Sequence, residues 1–138
     1  MAEPSFEGLR EQVRAPVITA DDPGYDEARA VQNGMFDRRP KVIVRAEQVA
    51  DVIAAVSFAR ESGLDLSIRG GGHSAPGFGT NDGGVVIDLS LMRHVQVDPG
   101  GRIARAAGGA TWETSTTPRT CSGSRRPAGS CPQPASQG

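Results

Sequence analysis

The densest chemistry in the chain lies in one stretch, Arg69-Gly70-Gly71-Gly72-His73-Ser74-Ala75-Pro76-Gly77-Phe78-Gly79. Three successive glycines leave their backbone N–H groups unshielded and free to adopt positive φ, so these amides can converge on an anion. Arg69 at the head of the run can add a charge-assisted hydrogen bond to a phosphate, worth about 1.5–3 kcal/mol. His73, read from the residues alone, hydrogen-bonds within the loop. Together these residue types point to binding of a nucleotide pyrophosphate. Taken without its flanks, the same glycine run suits a plain structural turn equally well.

The flanks exclude the two commonest phosphate loops. A dinucleotide-binding G-x-G-x-x-G must follow a strand and open a helix. Here the glycines are contiguous and lead towards Val85-Val86-Ile87, a strand. No Gly-Lys-Ser/Thr exists anywhere in the chain, so a P-loop is excluded as well.

The elements that position this loop are readable from periodicity. Asp21-Asp22-Pro23 starts a short helix through Tyr25, Ala28 and Val31, stopped at Asn33-Gly34. Val42-Ile43-Val44 predicts a strand. From about Glu47 to Ser62 the residues Val49, Val52, Ile53, Val56 and Ala59 form a helical stripe, expected to be a core face, and Gly63 supplies a left-handed cap. Leu64 to Ile68 is the next strand, giving β-α-β and an expected parallel pair. His94–Val97 and Arg102–Ala106 fit a hairpin around Asp98-Pro99-Gly100-Gly101. Gly108-Gly109-Ala110-Thr111-Trp112 reads as a helix entry capped by Thr111, with Trp112 as a packing anchor. Asp88 is read as a strand end rather than a base, and His94 as structural. The predicted fold class is α+β with a mixed sheet.

Composition narrows the class further. Hydrophobic residues make up 37% and charged residues 22%, with a formal net charge of −1. That balance argues against a strongly basic nucleic-acid binder. No secretory signal or membrane-spanning run is visible, so a cytoplasmic protein is expected. The body offers no metal cluster, and both cysteines, Cys121 and Cys131, lie in the last segment. Arginine outnumbers lysine fourteen to one, as expected of a GC-rich coding sequence.

With its flanks, the loop resembles a known family. The run "FARESGLDLSIRGGGHSAPGFGTNDGGVVIDLSLMRHVQVDPGGRIARAAGGATW" is similar to the FAD-binding domain of the p-cresol methylhydroxylase (PCMH) type. That domain occurs in the FAD-linked oxidase superfamily of vanillyl-alcohol oxidase, berberine bridge enzyme-like and 6-hydroxy-nicotine oxidase-like proteins. The resemblance covers about residues 38–112, after a lead-in over 1–37. It implies an incomplete PCMH-type domain whose Arg69, Gly70, Gly71 and Gly72 wrap the FAD pyrophosphate, with Ser74 and Gly77 completing the loop. It matches His73 to the histidine that many relatives join to the flavin 8α-methyl group, with no second, cysteinyl tether. It implies an FAD-dependent oxidoreductase that passes a hydride from a small organic substrate to flavin and then to oxygen. No catalytic residue or metal ligand is assigned, and the chain is expected to be inactive alone. The alternatives are a small nucleotide-binding module and a non-functional structural fragment.

Residues 113–138 contain no Val, Ile, Leu, Met, Phe or Tyr. Their composition predicts a disordered segment. A reading-frame slip of one base after Trp112 accounts for the same residues more sharply. In that case the first base of each tail codon becomes the second base of the lost one. Cys121, Ser122, Ser124, Ser130, Cys131 and Ser136 then mark hydrophobic positions, and all 26 residues from 113 to 138 accept one consistent back-translation. That translation resembles the family's continuation, a helix followed by a glycine-rich segment. The tail is therefore expected to be a frameshifted, truncated end or a sequencing artefact, to be decided by the locus DNA.

Overall fold

The computed structural model describes residues 5–112. The segment 113–138, with its cysteines and the expected frame slip, lies outside the described residues, as does any helix that Thr111 would cap.

Nine elements follow in order: α1 (Phe6–Gln12), β1 (Val17–Thr19), α2 (Tyr25–Arg29), β2 (Val42–Arg45), α3 (Val49–Glu61), β3 (Leu66–Arg69), β4 (Val85–Asp88), β5 (Val95–Asp98) and β6 (Ile103–Ala106). The first four strands form one sheet in the order β1-β2-β4-β3, and β5 and β6 form a separate antiparallel hairpin. β1 runs antiparallel to β2, whereas β2 and β3 both run parallel to β4, so the sheet is mixed. The expected β-α-β unit exists, but its two strands are not neighbours. α3 carries the chain across a one-strand gap, and the glycine loop then brings β4 back into it.

The hydrophobic strands are buried because both faces of the sheet are covered. Val42, Ile43 and Val44 of β2 and Val85, Val86 and Ile87 of β4 are all fully buried. Val42, Val44, Val85 and Ile87 point to a core shared with Leu9, Val13, Ala55 and Ala59. Ile43 and Val86, alternating with them, pack on Tyr25, Ile18 and Ala28. The Tyr25 hydroxyl donates to the Pro40 carbonyl at 2.6 Å, which fixes α2 against that second face.

The outcome for α3 corrects the sequence expectation. Ala55 and Ala59 are buried at 0% and 2% exposure, but Val49, Ile53 and Val56 are 63%, 61% and 38% exposed. The helix lies close over β4 and α1 on its small residues, and Phe58 meets Phe6 at 5.8 Å between ring centroids. Only Val52 and Ala59 of the stripe pack on the core. Gly63 does cap the helix in the left-handed region, at φ 63°. Trp112, expected as a packing anchor, is 87% exposed.

Asp51 sets the start of α3. Within a capping box with Gln48, its carboxylate accepts the amides of Glu47 and Gln48, both at 3.2 Å. It also accepts the Arg14 amide at 3.1 Å, which ties the segment after α1 to this helix. Asp51→Ala would strand three donors at a buried position. A loss of about 2 kcal/mol in urea denaturation is expected, with Asp51→Asn costing less because one acceptor survives.

Candidate functional site

The site stands on the C-terminal ends of the parallel strands, the usual place for a ligand over an open α/β sheet. Strand register sets three charged residues side by side there: Arg45 opposite Asp88, and Arg69 opposite Asp88 from the other side. The glycine loop leaves β3 at this edge. A cavity of about 540 Å³ lies above it, lined among others by Gly70, Gly71, Gly72, His73, Arg45 and Ser90.

Arg69 is buried and tied into the protein by both terminal nitrogens. Its guanidinium donates to Asp88 Oδ2 at 2.8 Å, to the Ala28 carbonyl at 2.5 Å and to the Ala30 carbonyl at 3.3 Å. The side chain is turned to these partners rather than out of the loop. It clamps the end of α2 to the root of the loop instead, because the parallel register delivers a carboxylate beside it. Burial pushes the Asp88 carboxyl up, but the Arg69 hydrogen bond and the Ser90 amide more than offset this and hold it below the ordinary value. Asp88 does end its strand, as read from the sequence.

The loop itself is clasped by residues 28–33, which the sequence read as the end of a short helix in the lead-in; that helix stops at Arg29, and the chain after it turns to the loop. The Gln32 amide donates to the Gly72 carbonyl at 3.3 Å, and the Gln32 side-chain carbonyl pairs with His73 Nδ1. The Asn33 side chain reaches the Ala75 carbonyl at 3.4 Å. Gly72 and Gly77 take φ of 73° and 76°, the left-handed region where a side chain is strained. The Ser74 hydroxyl accepts the Phe78 amide at 3.1 Å, and its carbonyl accepts the Gly77 amide at 3.0 Å. Ser74 and Gly77 thus shape the turn after His73. Of the seven expected positions, Gly70, Gly71, Gly72 and His73 face the cavity together with Arg69, while Ser74 and Gly77 do not line it.

A second glycine pair closes the site from beneath. A Cβ added to Gly70 would lie 2.6 Å from the Gly108 carbonyl oxygen. The chain at Gly109 passes so close to Leu89 that a Cβ there would lie 1.9 Å from the Leu89 carbonyl. Beside them is a second depression of about 460 Å³, bounded by Gly71, His73, Ala106, Ala110 and Trp112. His73 and Gly71 belong to both hollows. Among the described residues no group of acidic, histidine or cysteine side chains could hold a metal ion. No described helix is long and apolar enough to cross a membrane.

Sequence reading missed Gln32, Arg45 and the Gly108–Gly109 support. The glycine pair was visible inside the family-like run. Nothing in the sequence singled out Gln32 or Arg45.

Comparison with known proteins agrees with this geometry. A family model described as FAD binding domain matches residues 40–115. (R)-6-hydroxynicotine oxidase of Paenarthrobacter nicotinovorans is 40% identical over 97 residues, covering 70% of this chain and 21% of that protein. The crystal structure of 6-hydroxy-D-nicotine oxidase from Arthrobacter nicotinovorans superposes with a TM-score of 0.68 at 40% identity, over 71% of this chain and 22% of the other. Xylooligosaccharide oxidase from Myceliophthora thermophila C1 gives 0.67 at 29% identity, over 77% and 23%. The chain spans about a fifth of the length of these relatives. With a family match over more than half its length, and with a glycine loop seated at the C-terminal edge of a mixed sheet, the chain belongs to the FAD-binding domain family of the FAD-linked oxidoreductases, and FAD is its cofactor.

Proposed function

We propose that the chain is the flavin-binding part of an oxidase acting on a small organic substrate, and that it does not turn over substrate alone. The observation that carries this reading is the Gly70–Gly72 run lining a cavity of about 540 Å³ above the ends of three strands. The cradle fits a dinucleotide: its glycines leave the backbone open to phosphate, and the buried Arg45 Nε makes no hydrogen bond among the described residues, with Asp88 Oδ2 3.9 Å away. In this reading Gly70, Gly71 and Gly72 hold the pyrophosphate, and Ser74 and Gly77 keep the turn that aims His73. Arg69 serves by clamping the loop. Held there, FAD would supply the two-electron redox chemistry of an oxidase.

His73 is the proposed point of covalent attachment, and Gln32 steadies it. With Nδ1 on the Gln32 carbonyl, Nε2 is left as the nitrogen with an available lone pair. No catalytic residue is assigned among residues 5–112. A cytoplasmic location is part of the same proposal.

The test is titration of the purified chain with FAD, followed by acid precipitation and peptide mass spectrometry. Quenched flavin fluorescence at one flavin per chain and a flavinylated peptide spanning His73 are expected. A chain folded by circular dichroism that leaves FAD fluorescence unchanged overturns the binding reading. Flavin wholly released by acid overturns the tether alone.

A further inference from the structure

We propose that Arg45, rather than Arg69, is the guanidinium that neutralises the phosphate charge of the bound dinucleotide. This rests on the FAD-binding reading and assigns a residue to it that the glycine motif does not contain.

A row of charges stands at the strand ends. Arg45 and Arg69 flank Asp88 in register, so two guanidinium groups compete for one carboxylate. Arg69 wins, with Oδ2 at 2.8 Å, while Oδ1 accepts the Ser90 amide at 2.9 Å. Arg45 is left with its Nε 3.9 Å from Oδ2, beyond hydrogen-bond reach. That Nε is buried and makes no hydrogen bond among the described residues. The two side chains differ in exposure as well as in bonding. That of Arg69 is 7% exposed and that of Arg45 is 41% exposed, on the cavity wall.

The charge around the cavity favours an anion. Arg45, Arg69 and Arg93 line it against Asp88 and Glu27, which leaves one positive charge over. Arg93 is partly occupied, its Nε donating to the Ser90 carbonyl at 2.7 Å. Among the described residues the side chain of Arg45, alone of the three, makes no hydrogen bond and keeps only the 3.9 Å ion pair to Asp88. Across the same cavity, the amides of Gly70, Gly71 and Gly72 donate to no backbone carbonyl among the described residues. A group with oxygens on two sides, as a pyrophosphate has, can engage Arg45 on one side and these amides on the other.

Fluorescence titration of the whole chain and its Arg45→Gln and Arg45→Lys variants tests this, with FAD and riboflavin as ligands. Arg45→Gln is expected to weaken FAD binding by about ten- to a hundred-fold and to leave riboflavin, which lacks phosphate, unchanged. Arg45→Lys should recover part of the loss. The affinity of the unmodified chain for FAD should fall with added salt more steeply than that of Arg45→Gln. Thermal unfolding monitored by circular dichroism verifies that the variants fold. FAD binding by Arg45→Gln equal to that of the parent, with the same salt dependence, overturns the proposal and leaves the FAD-binding reading standing. An equal loss of FAD and riboflavin overturns it too, by showing a structural role. A folded parent chain that binds neither ligand overturns the underlying reading instead.

Discussion

Arg69→Ala is expected to lower the unfolding free energy by about 3–5 kcal/mol at neutral pH. The figure follows from what the side chain leaves behind. Asp88, 5% exposed, would lose its 2.8 Å partner, and the carbonyls of Ala28 and Ala30 would lose their donors. An ion pair taken out of water is no great source of stability by itself, but half of one is costly. Replacing both members with apolar residues, as in Arg69→Met with Asp88→Leu, should therefore recover much of the loss.

Acid separates this account from a simple packing defect. The Asp88 carboxyl is held below its ordinary value in the folded protein, with the Arg69 hydrogen bond as the leading cause against burial. Its contribution to stability is complete above the unfolded carboxyl value near pH 4 and is lost as pH falls through the lower folded value. Without Arg69 the carboxylate loses its strongest hydrogen bond and its value rises from that in the parent, so acid protonates it sooner and relieves a charge that has lost its close partner. Urea unfolding should find the gap between Arg69→Ala and its parent wider at pH 7 than at pH 3.5. A gap below about 1 kcal/mol at pH 7, or one that widens in acid, would contradict the clamp.

That pair also shows where the sequence stopped being readable. Arg69 stands at the head of a glycine run, and an arginine in that place suggests phosphate. Its partner lies 19 residues on, across the loop, and only the parallel register of β3 with β4 brings the two together. Gln32 and His73 are 41 positions apart and meet through the same long-range folding. Local signals fared better. The Asp98-Pro99-Gly100-Gly101 turn is there, its aspartate accepting the amides of Gly100 at 3.1 Å and Gly101 at 3.2 Å. The unbroken apolar runs of β2 and β4 were legible because burial on both faces leaves no alternation to misread. The stripe of α3 misled for the opposite reason. Periodicity weighs apolar size, whereas the close approach of α3 to the sheet selects small residues, Ala55 and Ala59, and turns Val49 and Ile53 outward.

Gly109→Ala is expected to be the most damaging single-methyl change in the site. The added carbon would lie 1.9 Å from the Leu89 carbonyl oxygen, 2.8 Å from its carbon and 3.0 Å from the Met92 carbonyl oxygen. All three are backbone atoms, so no rotamer change can make room. The Gly109 amide also donates to that Met92 carbonyl at 2.9 Å, and the new methyl would force this bond apart. Because Gly108 next to it abuts Gly70, the displacement should pass into the glycine loop and open both hollows at once. A destabilisation of about 3 kcal/mol, the upper end for overpacking, is expected together with at least tenfold weaker FAD binding. The control is Gly34→Ala, where an added Cβ meets nothing within 4 Å and φ lies outside the left-handed region. There the smaller entropy of the unfolded chain should leave stability unchanged or raised by up to about 1 kcal/mol. Thermal melts and FAD titrations of the two variants side by side decide the matter. Matching melting temperatures would mean that the Gly109–Leu89 approach is not the constraint that holds the loop in place.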